Sequence, residues 1–235
     1  MKNILLSGEK KHLIEGPAGQ LELLSYEVAA PQALGIICHP HPIPGGTLNN
    51  KVVTTLHKAL AERDFNTIRF NFRSVGESEG NFDEGVGEIE DLLAVLAWAT
   101  DLYPQLSLYL AGFSFGSYIA YRVAGESIYR PQVRQLISIA PPVQYPEFHT
   151  APVPNCPWLV VQGDQDDIVD PQAVYTWLGS LKKQIDIVRF PDSGHFFHGK
   201  LNELKEAIQE HLIGFCHPSA KSPEGESWDP GDETK

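Results

Sequence analysis

The sequence predicts an α/β fold with a mostly parallel central sheet and helices on both of its faces. From residue 34 onward, short apolar and β-branched segments alternate with segments of helical periodicity, as they do in successive βαβ units. The chain has 235 residues, of which 42% are hydrophobic, so it can bury a substantial core. We therefore do not expect a disordered or fibrous protein.

Six segments are predicted to be strands of the parallel part of the sheet: residues 34–38, 67–72, 106–111, 133–139, 158–162 and 185–190. Each is a short apolar run bounded by turn-forming residues, which is typical of a strand buried on both faces. Residues 3–6 and 21–29 are predicted to form two more strands around a Gly-Pro-Ala-Gly turn at 16–19. This pair would make an antiparallel edge.

Helices are predicted between the strands. The clearest follows Glu84, where apolar residues recur with helical spacing: Ile89, Leu92, Leu93, Leu96 and Ala97. The same periodicity predicts an earlier helix around residues 53–60 and a final helix over residues 201–215. Each pattern places one apolar stripe against the sheet.

The charge balance narrows the range of partners. The chain carries 18 basic and 30 acidic residues, a formal net charge of −12, which repels phosphate backbones and anionic lipid headgroups. The longest apolar run, residues 92–99, is far shorter than the roughly 18 residues that a membrane span needs. We expect neither a nucleic-acid partner nor membrane insertion, and the sequence does not predict an oligomeric state.

The ends of the chain and its cysteines indicate the compartment. The N-terminal apolar patch is interrupted by residue 7, before a signal-peptide core could form. Three cysteines at scattered spacings, Cys38, Cys156 and Cys216, are predicted to be free thiols. We therefore expect a cytoplasmic protein. Residues 1–216 are predicted to form a single domain, and the acidic residues 217–235 a disordered C-terminal tail.

A Gly-x-Ser-x-Gly motif, Gly112 to Gly116 with Ser114 at its centre, lies between a predicted strand and a segment that can be helical. In a tight strand-to-helix turn, side chains larger than hydrogen two residues either side of the serine would clash. The turn lifts the serine hydroxyl clear of the sheet, and the helix N-terminus offers a free backbone NH. The alternative is that Ser114 merely caps the helix.

Two further loops carry the groups that a serine nucleophile needs, a base and an acid that orients the base. The loop after the strand at 158–162 contains four aspartates, and the loop after the strand at 185–190 contains two histidines: Asp164, Asp166, Asp167, Asp170, His195 and His198. The chain order Ser, Asp, His is the one this architecture uses. All three loops follow carboxyl ends of parallel strands, so they are expected at one edge of the sheet.

These motifs resemble those of small serine α/β-hydrolases without a cap domain, a bacterial type similar in outline to dienelactone hydrolase and the acyl-protein thioesterases. The resemblance covers nearly all of residues 34–215. It rests on the Cys-His-Pro-His-Pro run at 38–42, the Arg-Phe-Asn-Phe-Arg run at 69–73, the motif around Ser114, and the two loops after it. It implies an α/β-hydrolase fold, with the 16 residues from 141 to 156 forming a loop where other hydrolases insert a cap.

The resemblance also selects among the candidate residues. Related enzymes place the acid in a Gly-x-x-Asp-x-x-Val pattern, which Gly163, Asp166 and Val169 match. Asp167 is the reserve, and the other two aspartates are assigned to turn and cap chemistry. His195, following a glycine in a short loop, is expected to be an exposed imidazole that reaches Ser114. His198 is its rival.

An oxyanion hole requires two NH donors. The resemblance implies Phe115, directly after the nucleophile, and His41 in the loop after the strand at 34–38. A proline at position 40 replaces the usual glycine, so Ile43, Gly45 and Gly46 remain alternatives to His41. His39 and His41 could instead ligate a metal, but no third ligand follows nearby, and we expect neither a metal nor an organic cofactor.

The predicted reaction is acyl transfer to water, with a small to medium carboxylic ester or thioester as substrate. Apolar residues between 141 and 148 are expected to form one wall of the site. Arg73 could pair with a substrate carboxylate or, alternatively, with a nearby acid. Two other functions remain open: a peptidase using the same triad, and a hydrolase-like protein that binds without turnover.

Overall fold

A computed structural model describes residues 8–129 and 132–214. Eight strands form one sheet: β1 (Glu9–Gly16), β2 (Gly19–Tyr26), β3 (Ala33–Cys38), β4 (Phe65–Phe70), β5 (Ser107–Phe113), β6 (Val133–Ile139), β7 (Trp158–Gly163) and β8 (Asp186–Phe190). Their order is β1-β2-β4-β3-β5-β6-β7-β8. β1 and β2 pair antiparallel, as do β2 and β4, and all other neighbours are parallel. The predicted mostly parallel sheet is confirmed.

The N-terminal hairpin turns where the sequence predicts, with Gly16 opposite Gly19. Its first strand does not correspond to the prediction: the segment 3–6 lies outside the described residues, and β1 instead covers the more polar Glu9–Gly16. β2 ends at Tyr26, three residues earlier than predicted. β1 is an edge strand with one face toward solvent. Polar and apolar side chains can alternate along such a strand, so it needs no continuous apolar run.

Within the described ranges, six helices surround the sheet: α1 (Lys51–Ala61), α2 (Val86–Leu102), α3 (Phe115–Glu126), α4 (Glu147–Thr150), α5 (Pro171–Ser180) and α6 (Leu201–Glu210). Apolar residues of α1 and α6 share one core cluster with the sheet, and those of α2, α3 and α5 share another. Helices therefore cover both faces, as expected. Phe215, predicted at the end of the last helix, lies outside the described residues, as do Cys216 and the predicted tail.

The buried face of α2 is rotated from the predicted stripe. Leu92 and Leu96 are fully buried as expected, but Val95 and Ala99 complete the face and Ala97 is exposed. In a helix with apolar residues on most sides, periodicity alone does not select which stripe faces the sheet. Across the described ranges, no helix has the length and apolarity needed to cross a membrane.

The segment from 141 to 156 contains only the four-residue α4. Phe148 of that helix is 1% exposed and packs on Tyr121 and Trp177, with ring centroids 4.8 and 5.2 Å away. The segment is therefore a short connection seated on the core, not a cap over the carboxyl edge of the sheet.

Candidate active site

Ser114 occupies a strained turn between β5 and α3. Its φ and ψ are 52° and −122°, a region that residues with a side chain rarely adopt. The backbone NH of Ser114 donates to the carbonyl of Ile139 at 2.8 Å, which ties the turn to the end of β6. The Ser114 side chain makes no capping hydrogen bond to α3, so helix capping does not account for it.

The two glycines of the motif are required by close backbone contacts. A Cβ on Gly112 would lie 2.3 Å from the carbonyl oxygen of Gly116, and a Cβ on Gly116 would lie 2.4 Å from that of Cys38. Both distances are well below van der Waals contact. The second contact also holds the start of the loop after β3 directly against the serine turn.

Asp166 and His195 form a buried hydrogen-bonded pair. Nδ1 of His195 lies 2.8 Å from Oδ2 of Asp166, and Oδ1 of Asp166 accepts the backbone NH groups of Ile168 and Val169 at 2.9 and 2.8 Å. Burial alone raises the pKa of the Asp166 carboxyl, but the hydrogen bonds from His195 and the two NH groups outweigh it, so the pKa lies below its usual value. The carboxylate is thus ionised and accepts the Nδ1 proton, which leaves Nε2 as the basic nitrogen.

His195 differs from the prediction in its exposure. The sequence suggested an exposed imidazole, yet the residue is 3% exposed. Its ring packs against those of Phe113 and Phe196, with centroids 4.9 and 5.1 Å away. A base that must hold one orientation toward a serine is better served by packing than by mobility.

Backbone contacts hold the loops after β7 and β8 together. The NH of Asp164 donates to the carbonyl of Phe190 at 2.9 Å, and the NH of Gln165 donates to that of Ser193 at 3.0 Å. A Cβ on Gly163 would lie 2.3 Å from the Ser193 carbonyl oxygen, so this approach requires glycine. These contacts bring Asp166 within hydrogen-bonding distance of His195.

Two of the other aspartates have structural partners. Asp164 accepts hydrogen bonds from Tyr175 at 2.5 Å and from Arg189 at 2.8 Å. Asp170 caps α5 by accepting the NH of Gln172 at 2.9 Å, as its place before a proline indicates. Neither faces the imidazole of His195.

The two rival residues are both exposed. Asp167, the reserve for the acid, and His198, the rival for the base, lie on the surface of their loops. The Asp166 carboxylate is hydrogen bonded to His195, the first histidine of the loop after β8, and not to His198.

In the loop after β3, His39 is a structural residue. Its Nε2 accepts the NH of Phe72 at 3.0 Å, and its Nδ1 donates to the carbonyl of Pro40 at 2.6 Å. Burial lowers its pKa to about 4, so the ring is neutral and both nitrogens are occupied. The described residues contain no group of three or more His, Cys, Asp or Glu side chains placed to hold a metal.

The same loop bears on the second oxyanion donor. The NH of Ile43 donates to Nδ1 of His41 at 3.2 Å, that of Gly45 to the Pro42 carbonyl at 2.9 Å, and that of Gly46 to the His41 carbonyl at 3.1 Å. All three alternative donors are thus occupied within the loop. Among the described residues, no hydrogen bond uses the NH of His41 itself.

A cavity of about 140 Å³ joins these groups. Its walls include Ser114, His195, His41, Pro44, Ile168 and Phe196. The segment 141–148 contributes nothing to it, so the predicted wall is wrong. Two of its large apolar side chains pack inward instead, with Val143 and Phe148 at 3% and 1% exposure.

Arg73 is structural as well. Its Nε and Nη2 donate to Oδ1 of Asp91 at 3.0 and 2.8 Å, and its NH donates to Oδ2 at 2.9 Å. The Asp91 side chain is fully buried, so the alternative pairing with a nearby acid is the one that occurs. Ser74, the next residue, has φ 69° and therefore adopts a left-handed turn conformation at some strain.

One contact to the candidate acid is not predicted from the sequence. Gln162, fully buried at the end of β7, donates from Nε2 to Oδ2 of Asp166 at 3.0 Å. The available signal was a polar residue ending an otherwise apolar strand, four positions before Asp166. Ile168 and Phe196 are likewise cavity residues that were not predicted, although each lies within two positions of a predicted site residue.

The chain is similar to known proteins over most of its length. A family model described as the α/β hydrolase fold matches residues 40–155. An uncharacterized protein of Rickettsia prowazekii (strain Madrid E) is 36% identical over 209 residues, which are 84% of this chain and 86% of the relative.

Two solved structures are similar over most of their length. An α-β serine hydrolase homologue from Coxiella burnetii has a TM-score of 0.82 and 46% identity, covering 90% of this chain and 100% of that one. A serine hydrolase without a lid from Xanthomonas campestris has a TM-score of 0.80 and 44% identity, covering 89% of this chain and 95% of that one. With its serine turn and lidless carboxyl edge, this chain belongs to the α/β hydrolase family, among the serine hydrolases that lack a cap.

Proposed function

We propose that this hydrolase cleaves small to medium carboxylic esters or thioesters through an acyl-enzyme intermediate on Ser114. The observation that carries the proposal is that Ser114, in its strained turn, and His195, hydrogen bonded to Asp166, line one cavity. Nucleophile, base and acid are the three groups that acyl transfer to water requires. The buried free thiol of Cys38 fits an enzyme of the reducing cytoplasm.

The proposed mechanism has two halves. The Ser114 oxygen attacks the substrate carbonyl carbon while its proton passes to Nε2 of His195, and Asp166 stabilises the imidazolium. The NH groups of Phe115 and His41 bind the oxyanion of the tetrahedral intermediate. The bond to the alcohol or thiol then breaks, and the leaving group takes the proton from His195. Water then attacks the acyl-enzyme while His195 takes its proton. The bond to the Ser114 oxygen breaks, that oxygen takes the proton back from His195, and the carboxylic acid is released.

Turnover of p-nitrophenyl esters tests this proposal. We expect steady release of p-nitrophenolate from the acetate and butyrate, and a kcat/KM that falls for the palmitate, because a cavity of about 140 Å³ leaves most of a long chain in water. A peptide p-nitroanilide is expected to react far more slowly. Hydrolysis confined to long-chain emulsified lipids would contradict the proposal, and preferential cleavage of the anilide would favour a peptidase.

Gln162 provides a test of how the acid is held. Replacing it by leucine removes a donor to the Asp166 carboxylate, a charge-assisted hydrogen bond worth about 1.5–3 kcal/mol. We expect kcat to fall about 10-fold or more with KM little changed, since Gln162 does not line the cavity. Gln165→Leu, at an exposed position in the loop after β7, is the matched control and should retain wild-type kinetics. An effect on KM alone would argue against this positioning role.

A further inference from the structure

The cavity beside Ser114 is built almost entirely from uncharged groups. Apart from Ser114 and His195, the residues that line it are prolines, glycines, Ile168, Phe196, Asn50 and His41. None of the described residues that line it carries an Asp, Glu, Lys or Arg side chain. A charged substrate group placed here would lose its hydration without gaining a counter-ion.

The cavity mouth exposes large apolar side chains beside the reacting groups. Ile168 is 52% exposed and Phe196 41% exposed. Each is fixed to the proposed machinery: the NH of Ile168 donates to Asp166, and the Phe196 ring packs on His195. Ile43, 74% exposed, lies in the loop that carries His41. Apolar groups held in water at the rim of a site gain free energy when an apolar ligand covers them.

Neither Arg73 nor His41 is available to pair with a substrate carboxylate. Arg73 donates three hydrogen bonds of its side chain and backbone to the buried Asp91. Burial lowers the pKa of His41, so its ring is neutral at neutral pH. The net charge of −12 further disfavours the approach of an anion.

The size of the cavity limits the group that it can enclose. An apolar cavity of about 150 Å³ holds a benzene molecule, and the volume here is about 140 Å³. Building on the proposed function, we infer that this site selects esters whose acyl group is uncharged and apolar, up to about the size of a benzene ring. It rejects acyl groups that carry a free carboxylate, because Ile168 and the other described residues that line it offer no cation to pair with one.

Three rigid esters with one leaving group test the inference: the p-nitrophenyl esters of benzoate, 4-carbamoylbenzoate and 4-carboxybenzoate. The last two have nearly the same shape, both somewhat larger than benzoate, and differ in charge, so their comparison with each other does not depend on the size limit. After subtraction of uncatalysed hydrolysis, we expect kcat/KM for the carboxy ester to lie about 100-fold or more below that for the carbamoyl ester. Equal values would overturn the inference.

Variants at Ile168 separate charge from polarity. Ile168→Lys places a cation at the cavity wall and should narrow the ratio between carbamoyl and carboxy esters about fivefold, as expected for a partly exposed ion pair. This narrowing of the ratio should be smaller in 0.5 M salt. Ile168→Gln, polar but neutral, should leave the ratio unchanged. A ratio that narrows equally in both variants would contradict a charge-based selection.

The outcomes also distinguish this inference from the proposed function. If p-nitrophenyl butyrate is hydrolysed but none of the three aromatic esters is, the enzyme is a serine esterase and the stated size limit is wrong. If butyrate is not hydrolysed either, and Ser114 does not react with an activated-serine reagent, the proposed function itself fails.

Discussion

Replacing Ser114 by alanine is expected to lower kcat about 10⁶-fold, because the residual reaction would lack its nucleophile and retain only binding and the oxyanion donors. The fold should persist, since the Ser114 hydroxyl makes no capping bond to α3. The measurement is p-nitrophenyl butyrate turnover beside thermal unfolding. Ser127→Ala, at the opposite end of the same helix, should retain wild-type kinetics.

The backbone of Ser114 adds a stability readout. With φ 52° and ψ −122°, the position costs a residue with a side chain about 1–3 kcal/mol. Ser114→Gly should therefore be as inactive as Ser114→Ala. It should unfold at a higher temperature than Ser114→Ala, with a free energy of unfolding larger by about 1 kcal/mol or more. A glycine variant that is less stable than Ser114→Ala would contradict the strain assigned to this turn.

Asp166→Asn is expected to lower kcat about 10⁴-fold. The asparagine oxygen could still accept the NH groups of Ile168 and Val169, but its amide would face Nδ1 of His195 and the donor of Gln162. Nδ1 would then be an acceptor, and the proton would move to Nε2, the nitrogen that must receive the serine proton. The measurement is kcat with the circular dichroism spectrum as a check of the fold.

Asp167→Asn is the matched control for this prediction. Asp167 is the next residue along the loop and is exposed, so its substitution should change kcat less than about twofold. Loss of activity in Asp167→Asn with retention in Asp166→Asn would reverse the assignment of the acid.

Much of the sheet could be predicted because its central parallel strands are buried on both faces. Such strands are continuous apolar runs, and β6 (Val133–Ile139) has the predicted bounds. β1 could not be found this way: its sequence is Glu-Lys-Lys-His-Leu-Ile-Glu-Gly. That strand depends on its ladder to β2 and on the ion pair between Glu9 and the buried Arg69, contacts between distant parts of the chain that an apolar pattern does not report.

The candidate site, like the sheet, combines features that local sequence determines with features that depend on contacts between distant residues. The serine turn was predictable because steric limits on Gly112 and Gly116 are local. The choice of Asp166 among four aspartates needed a family resemblance, since the distinction depends on which carboxylate reaches His195. The supposed wall at 141–148 was wrong because apolar residues pack equally well into a core or a cavity. The burial of His195 depends on Phe113, which is distant in sequence.

The central claim is that Ser114 is a nucleophile activated by His195. Labelling with a fluorophosphonate, an electrophile that reacts with activated serines, tests it most directly when read by intact mass on wild type, Ser114→Ala and His195→Ala. We predict one adduct on the wild type and none on either variant. No adduct on folded wild-type protein, or an adduct that persists in Ser114→Ala, would contradict the claim.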